Sequence, residues 1–336
     1  MSQDGECAYD NTHRAFLQAF IARSTFTYPT AKPVLAKIFS AHEGREILAE
    51  DITQSDFNSY VSSLNAAISQ FDFEIRSTLP QTSPATRIYA FVNTTSDPIT
   101  QLATLHTPDE IAYVKRVLDG MFETNNTPQR EIMAIKGMDA TRLNRNAHGT
   151  RNSGVNGNSE DSGITNPNTH GITMREAEKL LKSLVEEGWF EKHREYYSLS
   201  PRALMELRGW LLETYNEPED GDGGGGVERI KLCQACKEIV TVGQRCSTRA
   251  CLCRLHDHCT GNFFTATREE RCPICKVEWT GNNFVGVKAD GRGGGRESTN
   301  GLGSRNTNGR TNSNSNRRSS TKGMEEEGAE ASPTLD

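Results

Sequence analysis

The sequence predicts a mainly α-helical protein with small β-hairpins, arranged as two similar helical units, a compact metal-binding module and a polar tail. Three observations carry this. Helical periodicity followed by an alternating hairpin pattern occurs twice between about residues 11 and 215. Eight of the nine cysteines fall between Cys233 and Cys275, with His256 and His258 among them. Three stretches, 144–170, 216–226 and the chain from about Lys288 onward, hold almost nothing able to enter a core.

The first unit, 11–106, opens with a helix marked by Phe16, Phe20 and Ile21 and a second marked by Val34, Leu35, Ile38 and Phe39. In the third, Phe57, Tyr60, Val61, Leu64 and Ile68 share one face, with Thr53 or Ser55 as N-cap. FDFEIRST and TRIYAFVN then alternate as strands around a turn with Pro80 and Pro84. The second unit, 107–215, begins at Thr107-Pro108-Asp109-Glu110, with a cap, a first-turn proline and first-turn acids. Ile111, Val114, Leu118 and Met121 follow at helical spacing. After EIMAIKGMDATRL and an insertion expected to be disordered, 144–170, Ala177, Leu180, Leu181, Leu184 and Val185 mark another helix face. The hairpin WFEKHREYYSLS and the helix PRALMELRGWLLETY close the unit. Helices with a two-stranded wing, repeated, predict tandem winged-helix domains.

Composition narrows the function classes. A chain of 336 residues with 35% hydrophobic content holds two or three domains and long uncollapsed segments. Its net charge of -6 exerts no global pull on nucleic acid. On the second unit's amphipathic helix, Arg175, Lys179 and Lys182 are cancelled by Glu176, Glu178, Glu186 and Glu187, which favours protein docking over DNA reading. The start MSQDGECAYD lacks the basic and apolar regions of a secretory signal, and no run reaches the ~18 apolar residues of a membrane span. A soluble intracellular protein with no membrane contact is therefore expected, where clustered cysteines bind metal rather than form disulfides.

The cluster reads Cys233-x2-Cys236-x9-Cys246-x4-Cys251-x4-His256-x2-Cys259-x12-Cys272-x2-Cys275. Seven thiolates and one imidazole are enough for two tetrahedral zinc ions. Spacing leaves open which pairs share an ion. It also leaves a register in which Cys251 and Cys253 are ligands and Cys246 is free; Cys246 and Cys251 are preferred, because Cys253 and His258 each neighbour an assigned ligand closely enough to point away.

GQRC, RLHDHC and RCPIC in this C4HC3 order, behind tandem winged helices, resemble the RING-containing first non-SMC element subunit of the SMC five/six chromosome complex. The resemblance spans about 11–287. It implies a RING-like zinc domain at 228–287 joined by a flexible linker at 216–227. It implies a cross-brace in which Cys233, Cys236, His256 and Cys259 hold one zinc and Cys246, Cys251, Cys272 and Cys275 the other. It also implies a RING-type ubiquitin ligase in the nucleus, associated with chromosomes and acting in DNA repair. Its partners would be a MAGE-type winged-helix subunit, a kleisin-like subunit and a ubiquitin-conjugating enzyme. No residue of such a protein performs covalent catalysis; Ala235, Pro273, Ile274 and Lys276 match the positions that meet the conjugating enzyme, although Ala235 is smaller than the aliphatic residue many RINGs place there. Trp279 and Phe284 are expected to pack the end of the module.

Two other readings of the module stand beside this one. PHD-like chromatin readers share the C4HC3 order, but many place an aromatic residue two positions before the seventh ligand, where this chain has Glu270. A zinc module that only docks the chain within a complex is the third. In the tail, 288–336, eight Lys or Arg against two acids lie between Lys288 and Lys322. Plain disorder is expected there, with nonspecific DNA contact as the alternative. Ser332-Pro333 is weak evidence for phosphorylation, and Cys7 has no visible partner.

Overall fold

The computed structural model describes residues 9–82, 86–94, 105–145, 171–216 and 227–291. Pro84, the body of the insertion, most of the linker and the tail beyond 291 lie outside the described residues, as do Cys7 and Ser332.

In the first unit α1 (Asn11–Arg23), α2 (Tyr28–Glu43) and α3 (Gln54–Ile68) surround Phe16, Phe20, Leu35, Phe57 and Leu64, all without exposed surface. Side chains of Asp10, Thr27 and Thr53 accept hydrogen bonds from first-turn amides and set the three starts. Ile21 departs from expectation: it is 59% exposed, because Phe16 and Phe20, four residues apart, align with buried His13 on a face that Ile21 does not share. The hairpin forms as β2 (Phe73–Thr78) and β3 (Ile88–Asn93). A strand absent from the sequence reading, β1 (Thr25–Thr27), pairs with β3, giving the order β1-β3-β2. Three residues are too short to show alternation.

The plan recurs. α4 (Pro108–Asp119) runs into a π-helical turn at Gly120–Thr124, then come β4 (Ile135–Lys136), α5 (Gly137–Arg142), α6 (Met174–Glu186), β5 (Phe190–His193) and β6 (Tyr196–Leu199), with sheet order β4-β6-β5. The expected final helix divides at Leu207 into α7 (Pro201–Glu206) and α8 (Arg208–Tyr215). The fold class is thus as the sequence predicts: mainly helical, with small antiparallel sheets, and a cysteine-rich module at the end.

Two edges differ in detail. Asn144, counted with the insertion, is buried: its side chain donates to Ile172 O (3.0 Å) and its main-chain carbonyl accepts from Ile172 N (3.0 Å). Asn216 closes the linker through its side-chain amide alone, Nδ2 donating to Ile230 O (3.0 Å) and Oδ1 accepting from Ile230 N (2.8 Å). An asparagine amide supplies one donor and one acceptor in the spacing of a backbone pair, so it can stand in for a strand residue.

The linker does not leave the module apart. One core runs from Leu180, Leu184 and Leu211 of the second unit into Ile230, Ile239, Val240 and Leu255 of the module. The first unit docks through Ala90 and Val92, which cluster with Met205 of α7. Its Gln81 reaches the module as well, donating to Ile239 O (2.8 Å) and accepting from the amides of Thr241 and Val242 (2.9 Å each).

Candidate metal centres

Each C-x-x-C pair sits on the same kind of turn. At the first, Cys233 N donates to Glu238 O (2.8 Å) and Lys237 N to Cys233 O (2.9 Å); at the last, Cys272 N donates to Val277 O (2.8 Å) and Lys276 N to Cys272 O (3.0 Å). Lys237 and Lys276 close these turns in the left-handed region, at φ 63° and 62°. The backbone therefore folds back around two sulfurs, leaving the residues between them on the outside.

Between the turns lie β7 (Gly243–Arg245), β8 (Arg254–Leu255), α9 (Asp257–Thr267) and β9 (Phe284–Val285), with sheet order β8-β7-β9. Gly243 of GQRC is dictated by space: a Cβ there would stand 2.3 Å from Leu255 O. His256 is the N-cap residue of α9, and Cys259 N donates to its carbonyl (3.0 Å), which brings the His-x2-Cys pair to one helix end. Trp279 is buried, donates from Nε1 to Gln244 Oε1 (2.9 Å) and packs on Phe264.

These elements bring the ligand atoms of Cys233, Cys236, His256 and Cys259 together in one group and those of Cys246, Cys251, Cys272 and Cys275 in another, each within 4.8 Å. The pairs interleave, first with third and second with fourth. In the first group Cys236 Sγ is 3.3 Å and Cys259 Sγ 3.9 Å from His256 Nδ1. In the second, Cys246 and Cys275 sulfurs are 3.4 Å apart and those of Cys251 and Cys272 3.5 Å. A tetrahedron with Zn–S bonds of about 2.3 Å has edges of about 3.8 Å, so both groups are the right size. His256 Nε2 lies 3.1 Å from Ile239 O, a partner that fixes the ring with Nδ1 toward the sulfurs.

The donor chemistry also fits. Burial pushes the Cys251 thiol up to about 12 and the Cys259 thiol up to about 11, so thiolates at these two positions call for a compensating cation, while the backbone hydrogen bond from Val277 holds Cys275 down to about 6. The spare candidates stand outside both groups. Cys253 is fully buried, with burial pushing its thiol up, and its carbonyl accepts from Cys246 N (3.2 Å). His258 stacks on His256 with ring centroids 5.0 Å apart; burial lowers its pKa, and its Nδ1 has no hydrogen-bond partner among the described residues.

The residues matched to conjugating-enzyme contact lie on the turns. Ala235 and Lys276 are exposed, Pro273 is half-buried, and Ile274 is 52% exposed. No spacing argument points to Glu131, Arg245 or Arg254. Glu131 sits in the loop between α4 and β4, 123 positions from Arg254, yet their side chains make the buried ion pair at the junction of the second unit with the module.

A family model described as "Nse1 non-SMC component of SMC5-6 complex" matches residues 13–207, more than half of the chain. The chain belongs to the Nse1 family. A second model, "RING-like domain", matches residues 233–275 and so covers both metal groups, which are the two zinc sites of that domain. Among Nse1 relatives, "Non-structural maintenance of chromosomes element 1 homolog" of Homo sapiens is 21% identical over 269 residues, 80% of this chain and 84% of the human protein. "Non-structural maintenance of chromosomes element 1" of Schizosaccharomyces pombe is 20% identical over 286 residues, 85% of this chain and 99% of the yeast protein. A solved structure of an "Nse1-Nse3-Nse4 complex" superposes with a TM-score of 0.59 at 19% identity, covering 81% of this chain and 97% of the other, a likeness of fold. Among the described residues no helix is long and apolar enough to cross a membrane.

Proposed function

We propose that this chain is a RING-type ubiquitin ligase subunit of the SMC5-6 complex. It binds a ubiquitin-charged conjugating enzyme and holds the thioester for attack by a substrate lysine, in the nucleus, in the service of DNA repair and chromosome maintenance. Each zinc has four protein ligands, which leaves no open position for an activated water. The zinc ions supply folding energy and shape, and rate enhancement comes from positioning.

One observation carries the reading. Ile274 is held 52% exposed between two zinc ligands, with Val277 at 42% on the same turn, while Ile230, Ile239, Val240 and Leu255 of the module are buried. An aliphatic residue fixed outward on a rigid turn is an anchor for a partner's apolar pocket. Pro273 stiffens the same turn, Ala235 occupies the matching place on the first turn, and Lys276 offers a charge beside it. Family membership supports a MAGE-type Nse3-like subunit and a kleisin Nse4-like subunit as partners, since the matching complex joins an Nse1 chain to Nse3 and Nse4. Nonspecific DNA contact by the basic stretch 288–322, the alternative to a plain disordered tail, is tested by salt-dependent retention on duplex DNA with and without residues 292–322.

A second reading has its own observation. The module shares a core with the second unit, as a purely structural docking element would. Ubiquitin discharge separates the two: the chain with its MAGE-type partner is mixed with a panel of charged conjugating enzymes, and wild type is compared with Ile274→Ala. Accelerated discharge that falls in the zinc-loaded variant supports the ligase, whereas no acceleration by any enzyme assigns the module to docking.

A further inference from the structure

The junction between the second unit and the zinc module holds an unusual concentration of buried charge. The Glu131 side chain is 3% exposed, and both of its oxygens are taken by Arg254: Nε donates to Oε2 (2.6 Å) and Nη2 to Oε1 (2.5 Å). Lys231 Nζ at 3.2 Å and Arg245 Nη1 at 3.5 Å converge on the same Oε1. Three cations converge on this one buried carboxylate; exposed Glu228 offsets part of the Lys231 charge and exposed Arg249 adds to that around Arg245, so the buried group stays net positive, which is unfavourable unless a counter-charge lies close by.

The adjoining second zinc site supplies it. Four thiolates around one Zn²⁺ would carry two negative charges, opposite in sign to the excess. The connection is direct: the third guanidinium nitrogen of Arg254, Nη1, donates to the carbonyls of Cys251 (2.7 Å) and Cys253 (2.8 Å). Arg245 immediately precedes Cys246 and is anchored to Pro128 O (3.0 Å) and Arg249 O (3.4 Å). The first site, with three thiolates and an imidazole, would carry one negative charge; it meets Arg254 through backbone alone, where Gln234 N donates to Arg254 O (2.9 Å), and its imidazole is oriented by Ile239 O.

We propose that Glu131 is a positioning residue for the second zinc site, although it lies in the winged unit and touches no metal. It fixes Arg254 so that one guanidinium grips the backbone of the Cys251 loop and, with Arg245 and Lys231, balances the doubly negative zinc–thiolate centre. Metal retention at the second site is thereby coupled to docking of the module, and retention at the first is not.

The test uses the full chain loaded with Co²⁺, whose absorption distinguishes a four-sulfur site from a three-sulfur, one-nitrogen site, and challenges it with a chelator. Outer-shell partners of metal ligands are worth about 10- to 100-fold in affinity. Glu131→Gln is therefore expected to lose the four-sulfur signal at ten- to hundredfold lower chelator while the other persists. Gln81→Ala, which cuts the first unit's tie to the module, leaves both unchanged. Loss of both signals together, or of neither, in a Glu131→Gln protein that keeps its helical circular dichroism overturns the proposal. Should that variant fail to fold, Glu131→Asp, which keeps the charge but cannot reach both Arg254 nitrogens equally, is judged by the same criterion.

Discussion

Individual charges at the unit boundaries behave differently according to how fully they are compensated. Burial would raise Glu131, but the Arg254 hydrogen bonds and the charges of Arg254, Lys231 and Arg245 outweigh it and hold the carboxyl below its ordinary range. Glu206 of α7 is the opposite case. Burial pushes its carboxyl above the ordinary value, against the attraction of Arg202, whose nitrogen lies 3.4 Å away. A raised acid contributes stability below its unfolded pKa and loses it as pH rises through the folded one. At neutral pH the Glu206 charge therefore costs stability. Glu206→Gln is expected to melt higher than wild type near pH 7, with the gap narrowing as pH falls toward the ordinary carboxylate range; a gap that widens on acidification contradicts this. The single-residue features that sequence reveals are those set by local chemistry. The eight ligands and the cap residues Thr53 and Thr107 are legible because spacing or position defines them. Glu131 is not, because an acid in a polar loop looks solvated until a distant arginine is folded onto it.

At the level of elements, the hairpins and long helices follow from periodicity, and the misses share one physical origin. β1 and β4 are three and two residues long, below the length at which alternation can show, and exist because β3 and β6 present open edges to pair with. Composition likewise assigns the chain from Lys288 to a polar tail, yet a 3₁₀ turn at Val287–Asp290 lies against the second unit. Val287 and Ala289 pack on Ile132, Ala134 and Tyr196, while Asp290 accepts from the Tyr196 hydroxyl and pairs with Lys136 at 3.5 Å and Arg130 at 3.3 Å. Two small apolar residues cannot announce an element; their fit is decided by the surface that receives them. The docking of α7 offers a quantitative check. Met205 is buried against Ala90 and Val92, and truncating a buried methionine costs about 2–5 kcal/mol. Met205→Ala is expected to fall near the lower bound and to raise hydrogen exchange in β2 and β3 more than in β5 and β6. Equal effects on both sheets contradict a localised contact.

For the molecule as a whole, the continuous core makes the zinc module part of the fold's cooperative unit. Zinc removal is expected to propagate: chelation should lower exchange protection at Leu211 and Tyr215 in α8 as well as in the module, and leave Phe16 and Phe57 of the first unit nearly unchanged. Loss confined to 228–287 contradicts the shared core. Sequence composition points to a tether at 216–226, but composition reports what a linker is made of and not whether its ends are pinned, as Asn216 and Ile230 pin these. Pinning matters for the proposed activity, since a scaffold ligase works by fixing the conjugating enzyme relative to the substrate-bearing complex.

The proposed ligase surface is one face of this fixed module, and the two turns contain their own control. Lys237 and Lys276 follow their C-x-x-C pairs in the same left-handed conformation, so a role in turn geometry is common to both, whereas the ligase reading assigns a contact to Lys276 alone. The deciding measurement is single-turnover discharge of ubiquitin from a charged conjugating enzyme by the partner-bound chain, with zinc content verified, for wild type, Lys276→Ala and Lys237→Ala. One lost hydrogen bond to a charged group is worth about 1.5–3 kcal/mol, or roughly ten- to hundredfold in rate. A drop of that size in Lys276→Ala, with Lys237→Ala near wild type, is the predicted result; equal rates in the two variants contradict the ligase surface.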